Sequence, residues 1–468
     1  MTRTVQCSLI ALALSAGWVA PAQAAAPDAD VRAALAVLQG QVERLNQRVD
    51  TLEGQLDAAK ARAEAAEQQT AALFVQAEAA RAAAAPTATA KPATEVTWDG
   101  APKLATKDGW SFKPRGRLQI DTAGVDAPAG IAGQASLGIA TELRRAFIGV
   151  DGTMPGGFGY RVEVDVANSG VEITDLYLTY KPRPQLTLTL GQHKPFWGFE
   201  ETTSDLFTSF MERAAFNSAF GFERRVGFSA AWAGKTVLVQ GGVFADNAAD
   251  LNLDTNNSYS FDGRVVVMPK LAGGQLHLGG SMHVRDFNDA QATTRYRARP
   301  FVHTTDLRLV NTGNIAATGE TGYGAELAWV SGRFHAAAES HWIVPRRPGL
   351  ADPTFTGGYG EIGMLLTDDV TTYKNGAFDR IRPKQPLGKG GIGALKANLR
   401  YDWLDLNDAG IVGGKQDVAA ISLLWIPTDY VRFILNYGHL WLSDAALAAG
   451  TARDYQADSI GLRAQFDF

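Results

Sequence analysis

The sequence predicts an all-β fold, a transmembrane antiparallel β-barrel of sixteen strands, preceded by an N-terminal α-helical coiled coil. Three observations lead to this prediction. The chain opens with an export leader, short segments of alternating polarity recur from Trp98 onward, and the last strand ends on the aromatic Phe468. The 468 residues carry a net charge of −5, which gives no indication of nucleic acid as a partner.

Residues 1–24 have the pattern of a secretory signal peptide. Arg3 supplies a positive start, an apolar run covers 9–20, and Ala-Gln-Ala at 22–24 is a small-residue cleavage site. The run is too short for a transmembrane helix. Because the only cysteine, Cys7, lies in this leader, we expect an exported mature chain without disulfides.

Residues 25–81 follow with apolar positions spaced alternately by three and four, which places one apolar seam on a helix. The seam consists of Leu35, Leu38, Val42, Leu45, Val49, Leu52 and Leu56. The spacing predicts a periplasmic coiled coil, and a solitary amphipathic helix is the alternative. Residues 82–97, with two prolines, are expected to be a linker to the barrel domain, 98–468.

The barrel prediction depends on strands with one apolar and one charged face. In the stretch YRVEVDV, Tyr160 and Val162 share one face, and Arg161 and Glu163 share the other. A soluble sandwich gives the same pattern with its apolar side inward. Seventeen such segments occur. When the segment 297–309 is counted as a loop, sixteen strands remain. The connections between them then alternate between short and long, except at 169–170 and 368–391.

Two of the expected outer loops carry the residues of interest. In TTRYRARPF, Arg295, Arg297 and Arg299 alternate, so in extended backbone they project on one side about 6.6–6.8 Å apart. Such a ladder suits the passage of an anion, and a solvated outer loop is an equal alternative. The connection 193–223 is rich in Phe and Trp, so we expect it to fold into the lumen and narrow it. A loop that contacts a neighbouring subunit is the alternative.

Five segments, in order, resemble the phosphate-selective porins O and P: WSFKPRGRLQID, ELRRAFIGVDG, LTLGQHKPFWGFEETTSD, MERAAFNSAF and RYRARP. The resemblance implies a homotrimeric, sixteen-stranded channel for phosphate and related anions in the bacterial outer membrane. It implies pore roles for Arg117, Arg145, Arg213, Arg295, Arg297 and Arg299. Strict alternation favours Arg145 over Arg144, because Arg145 shares a face with Asp151.

One departure from the family concerns the constriction, where Glu201 stands in place of the family's lysine. A carboxylate in a narrow pore repels phosphate unless an adjacent arginine compensates, so it predicts a weaker anion preference. From Trp98 onward Lys plus Arg total 36 and Asp plus Glu total 39, so only placement can favour anions.

Other classes of function remain as alternatives. A general-diffusion porin and a structural envelope tether both fit a barrel with a coiled coil, which could contact the cell wall or a periplasmic partner. The sequence has no Gly-x-Ser-x-Gly and no zinc-spaced histidine pair, so we predict no enzyme activity, cofactor or metal. The expected partners are small anions, outer-membrane lipid and further copies of the chain.

Overall fold

The computed structural model describes residues 94–167, 170–251, 258–287 and 293–468, and scattered helical, exposed positions between Glu43 and Gln68. The predicted signal peptide, the seam of the predicted coiled coil and residues 82–93 of the predicted linker lie outside the described residues. The chain divides into two compact units, Met1–Lys91 and Pro92–Phe468. No helix in the described part of the chain is long and apolar enough to cross a membrane.

Sixteen antiparallel strands, β1 to β16, each pair with their neighbours in sequence, and β16 pairs with β1 to close a barrel. Their bounds are β1 Ser111–Asp126, β2 Ala140–Met154, β3 Phe158–Asp165, β4 Glu172–Arg183, β5 Leu186–His193, β6 Arg225–Ala233, β7 Val237–Phe244, β8 Tyr259–Val267, β9 Gly274–Asp286, β10 Gly319–Ser331, β11 Phe334–Arg346, β12 Phe355–Leu365, β13 Ala394–Asp408, β14 Ile411–Thr428, β15 Val431–Ser443 and β16 Tyr455–Asp467. The predicted strand number is confirmed, and 297–309 forms no barrel strand.

The barrel has its apolar side outward. On β16, Ile460 and Leu462 are exposed, whereas the inward-facing Arg463 and Gln465 are buried. Exposed aromatic residues ring both ends of the outer face. At the end that carries the short turns, called here the turn end, they include Phe158, Tyr180, Trp232, Phe334, Trp425 and Phe466. At the opposite loop end they include Tyr259, Phe261, Tyr323, Trp342 and Trp441. An apolar band between two aromatic girdles is the surface of a barrel that lies in a bilayer.

A hairpin precedes the barrel at the turn end. Its strands, Thr94–Asp99 and Ala101–Thr106, pair with each other, and the second pairs with the first two residues of β1. The chain turns between them at Gly100, whose φ of 78° lies in the left-handed region that favours glycine. The first strand therefore begins at Thr94, inside the expected linker.

The connection 193–223 folds into the lumen, as expected, and is called here the constriction loop. It contains two single-turn helices, α1 Phe199–Thr202 and α2 Ala215–Ala219. The wall strands bind its backbone: Glu339 accepts hydrogen bonds of 2.7 Å from the backbone N–H groups of Phe199 and Glu200. Asp402 accepts one of 2.9 Å from Ala215. Buried wall carboxylates thus satisfy backbone donors of the loop inside the barrel.

The long turn-end connection between β12 and β13 also enters the barrel. It forms a short hairpin, Thr372–Lys374 with Ala377–Asp379, called here the wedge hairpin. Asn375 and Gly376 at its tip have φ of 50° and 79°, the conformation that Asn-Gly turns favour. This insertion explains why the stretch 368–391 is longer than an ordinary turn.

Candidate functional site

The main cavity runs off-centre through the barrel, with a volume of about 1010 Å³. Strands β1 to β6, the constriction loop and the loop 287–318 supply nearly all of its lining. Within the described ranges, β7 to β13 supply none. A second cavity of about 590 Å³ opens at the turn end and shares four lining residues with the first: Arg161, Tyr177, Thr179 and Thr187. The two cavities therefore adjoin at these four residues, between the outer mouth and the turn end.

The other half of the lumen is filled. Phe378 of the wedge hairpin packs edge-on against Phe199 of the constriction loop, with ring centroids 4.7 Å apart. Tyr373 of the hairpin shares a 2.7 Å hydrogen bond with Nδ1 of His277. Arg264 on the wall donates a 2.9 Å hydrogen bond to the carbonyl oxygen of Gly376. Loop and hairpin thus form one packed body that displaces the open path toward β1–β6.

Positive charge dominates the lining of the main cavity. Thirteen cationic side chains line it: Arg115, Arg117, Arg144, Arg145, Arg161, Lys194, Arg213, Arg224, Arg295, Arg297, Arg299, Arg308 and Arg380. Six acidic side chains accompany them: Glu163, Asp175, Glu201, Asp205, Glu212 and Glu223. The excess of seven positive charges arises from placement alone, because the barrel region as a whole has more acidic than basic residues.

The three arginines predicted to alternate do so at the outer mouth of the cavity. Arg295 and Arg297 are exposed to the cavity, whereas Tyr296 and Ala298 between them are buried against the wall. Tyr296 is fixed there by a 2.5 Å hydrogen bond that its hydroxyl donates to Glu320. The buried alternate residues therefore direct the arginines toward the water-filled side.

A fourth arginine, which the sequence analysis missed, joins this group. Burial and the neighbouring Arg299, Arg297 and Arg295 lower the pKa of Arg308 to about 10. Among the described residues, only Arg299 of this group has a carboxylate partner, the exposed Asp306 at 2.9 Å. The backbone of Arg297 pairs with Asn311, but its guanidinium group has no hydrogen-bond or ion-pair partner among the described residues. The mouth is thus a cluster of guanidinium groups with little local compensation, and we call it the outer arginine cluster, Arg295, Arg297, Arg299 and Arg308.

Deeper in the cavity, Asp205 of the constriction loop lies between two of the predicted pore arginines. Its carboxylate forms ion pairs with Arg117 on β1 and, at 2.8 Å, with Nε of Arg145 on β2. Burial opposes ionisation of Asp205, but the two arginines outweigh it and hold its pKa well below the ordinary value. Asp205 is therefore ionised, and it attaches the loop to the charged wall.

The negative charge of Glu201 is also balanced by two cationic side chains. One carboxylate oxygen lies 2.5 Å from Nζ of Lys194, and the other lies 3.4 Å from Nε of Arg213. Arg213 also donates hydrogen bonds to the carbonyl oxygens of Glu200 and Thr203. Burial opposes ionisation of Glu201, yet the pKa is lowered because Arg213 and Lys194 outweigh that effect. The group keeps a net charge of about +1, and Lys194 supplies a lysine at the constriction.

A β-bulge corrects the expectation that Arg145 faces the lumen in preference to Arg144. The pairing of β2 with β1 shifts from Arg145 opposite Gln119 to Leu143 opposite Ile120, which leaves Arg144 as an extra residue. Both arginines line the cavity. Arg144 forms two hydrogen bonds of 3.1 and 3.2 Å with Glu212 of the constriction loop. Strict alternation fails here because the bulge turns two consecutive side chains inward.

One carboxylate between two cations is the recurring unit of the cavity wall. The ion pairs are those of Asp205 with Arg117 and Arg145, Glu201 with Lys194 and Arg213, Glu212 with Arg144 and Arg463, and Asp175 with Arg161 and Arg224. The sequence analysis named Arg117, Arg145, Arg213 and Glu201 as pore residues. It missed Asp175, Asp205 and Glu212, because these acids meet their partners only through long-range folding. The described residues contain no group of side chains suited to hold a metal ion.

Comparison with known proteins identifies a family model, a relative in sequence and solved structures that are similar to this chain. A family model described as phosphate-selective porin O and P matches residues 112–468. An uncharacterized protein of Caulobacter vibrioides is 42% identical over 477 residues, which cover 98% of this chain and 96% of its own. OmpT of Vibrio cholerae, an outer membrane protein folded in vitro, has a TM-score of 0.50 at 12% identity, covering 78% of this chain and 99% of its own. The outer membrane channel DcaP of Acinetobacter baumannii has a TM-score of 0.47 at 14% identity, with coverage of 78% and 99%.

Proposed function

Because the chain belongs to the phosphate-selective porin O and P family, we propose that its outer-membrane channel passes small anions in preference to cations, with phosphate among them. The observation that carries the proposal is the excess of seven positive charges around a cavity of about 1010 Å³. A pore lined by fixed positive charge attracts anions and repels cations, most strongly where it is narrow and poorly screened. In the outer membrane, the long loops of such a barrel face the external medium and the short turns face the periplasm. The loop end of this barrel therefore faces the medium, and the turn end faces the periplasm.

The outer arginine cluster is the first part of the path that an entering anion meets. Its guanidinium groups present planar N–H donors suited to oxyanions such as phosphate. Arg297, which has no partner among the described residues, is the most available of them. The cluster therefore raises the local concentration of anions at the mouth and selects against cations before the narrow part is reached.

The paired arginines deeper in the cavity have a different role. Asp205 and Glu201 each fix two cations in place and leave one positive charge uncompensated, so the path attracts anions without binding them tightly. Arg117 and Arg161 keep a buried Nε–H without a hydrogen-bond partner in the described part of the chain. These two donors are shielded from the water of the cavity, so a passing phosphate or its water shell accepts hydrogen bonds from the other N–H groups of the lining guanidinium groups.

We also propose that the chain forms a homotrimer and contains a coiled coil. The family supports the trimer, and the heptad seam between Leu35 and Leu56 supports a coiled coil over 25–81 that holds the barrels together or reaches a periplasmic partner. Residues 1–24 would direct export and be removed, and 82–97 would link the two parts.

The direct test is the reversal potential of the purified channel in a planar bilayer under a tenfold gradient of potassium chloride. We expect a reversal potential with the sign that an anion-selective pore gives, and we expect added phosphate to reduce the chloride current. A reversal potential near zero would indicate a general-diffusion porin instead. The absence of single-channel conductance from folded, heat-modifiable barrels would indicate a structural tether.

A further inference from the structure

The hairpin 94–106 has one face that is apolar and exposed. Val96 pairs with Leu104, which pairs in turn with Phe112 at the start of β1, so the three side chains form a row on one face. Trp98 pairs with Pro102 on the same face. Trp98 is 74% exposed and Val96 62%, and no described residue covers them.

The opposite face of the hairpin is polar and points toward the barrel rim. Asp99, next to Trp98 in sequence, contacts Nζ of Lys113 at 3.5 Å and accepts a 3.1 Å hydrogen bond from the hydroxyl of Tyr430. Arg382 lies 3.6 Å from the same carboxylate. These contacts fix the rotation of the hairpin, because successive side chains of a strand point to opposite faces.

The apolar face continues the outer surface of the barrel. Phe112 lies on the same side of β1 as Leu118 and Ile120, which are exposed on the apolar band. Trp110 is also exposed and lies an even number of positions from these residues. The row from Val96 to Phe112 therefore extends the aromatic girdle of the turn end beyond the last barrel residues, where tryptophan and other aromatic side chains meet the headgroup region of a bilayer.

We propose that the hairpin 94–106 is an interfacial membrane anchor, whose apolar face lies in the headgroup–acyl boundary of the periplasmic leaflet. The occupant of this face is lipid, because the face is continuous with the lipid-facing band, whereas the polar face is open to water apart from the contacts of Asp99 with the rim. The hairpin thereby holds the chain that leads to residues 1–93 against the membrane. The proposal rests on the location of the barrel in the outer membrane and is independent of ion preference.

The test uses single cysteines in the full chain, whose only native cysteine is removed by Cys7→Ser. Trp98→Cys and Leu104→Cys report on the apolar face, and Thr97→Cys is the matched control on the polar face. Each is labelled with an environment-sensitive fluorophore in nanodiscs of phosphatidylethanolamine and phosphatidylglycerol. Quenching is measured with a headgroup-proximal doxyl lipid and with aqueous iodide, and heat modifiability confirms that each barrel is folded.

We expect the doxyl lipid to remove most of the emission at positions 98 and 104 while iodide has little effect, and we expect the reverse at position 97. Equal iodide quenching at all three positions would show that the hairpin stands in water and would overturn the proposal. Protection of positions 98 and 104 from both quenchers would also overturn it, because the face would then be covered by protein, either a second copy or another part of this chain.

Discussion

The ammonium group of Lys194 lies 2.5 Å from the carboxylate of Glu201. The pair carries no net charge, so the positive charge of this part of the constriction comes from Arg213. Glu201 therefore lowers the local potential without making it negative. For the proposed anion channel, we therefore expect a carboxylate at this position to weaken anion preference by a limited amount and not to reverse it.

Glu201→Gln should strengthen anion selectivity when it is measured at acidic pH, where Lys194 stays protonated although it loses the pKa-raising effect of Glu201. Removing one negative charge about 4 Å from the path changes the energy of a passing monovalent anion by about 1 kcal/mol in water, or about fivefold in relative permeability. The measurement is the reversal potential under a salt gradient. Glu223→Gln is the control, because Glu223 lines the same cavity but is exposed and screened. Equal shifts for both variants would contradict a special role for Glu201.

Selectivity should depend on pH through Lys194. Burial and the neighbouring Arg213 lower the pKa of Lys194 to about 8, against the opposing effect of Glu201. A lysine is charged below its pKa, so this positive charge is present at pH 7 and is lost as pH rises through about 8. The anion permeability ratio should therefore fall between pH 7 and 9. Lys194→Arg should remove this dependence, because arginine stays protonated over that range. A dependence that persists in the variant would assign the titration to another group.

Arg297→Ala should weaken anion preference at the outer mouth. Because its guanidinium has no partner among the described residues, the variant removes charge without exposing an unpaired carboxylate. We expect about a twofold loss in the anion-to-cation permeability ratio, equivalent to about 0.4 kcal/mol, and weaker phosphate block of chloride current. Arg347→Ala, in an outer loop that does not line the cavity, is the matched control. An unchanged ratio for Arg297→Ala would show that the outer arginine cluster is only solvated.

Phe378→Ala should loosen the wedge hairpin and enlarge the path. Removal of a buried phenylalanine costs about 3–5 kcal/mol of local packing, here against Phe199 of the constriction loop. Single-channel recordings should show higher and noisier conductance, while heat modifiability shows an intact barrel. Lys374→Ala, on the exposed side of the same hairpin, should leave conductance unchanged. Normal conductance for Phe378→Ala would mean that the loop keeps its position without the hairpin.

Deletion of residues 28–80 should lower the temperature at which the oligomer dissociates while each barrel remains folded. The heptad seam between Leu35 and Leu56 is the reason, since a coiled coil adds contacts between copies that the barrels do not provide. Semi-native gel electrophoresis across a temperature series measures the change. An unchanged dissociation temperature would remove the proposed role of this segment in assembly.

The barrel was predictable because its signals are local. Alternation along each strand is set by the pleat, so a stretch such as 455–467 shows its apolar and charged faces without knowledge of its neighbours. The inward fold of the constriction loop was predictable from its aromatic content. The same period-two argument predicted the orientation of Arg295, Arg297 and Arg299.

The details of the channel wall were not predictable, because they depend on contacts between distant segments. Asp205 meets Arg117 across 88 positions of sequence, and no local pattern marks that pair. The bulge at Arg144 breaks the alternation used to choose Arg145. The wedge hairpin was visible only as a connection of unusual length, since insertion into the lumen depends on the partners that Phe378 finds there.

The displaced path has a consequence for how such proteins diversify. Most of the channel wall, from Arg115 on β1 to Ala231 on β6, is one continuous stretch of chain that includes the constriction loop. The later strands mainly complete the cylinder and support the wedge hairpin. A single recombination event that exchanges this stretch between two relatives would transfer most of the wall, and with it the solute range, without disturbing the remainder of the gene.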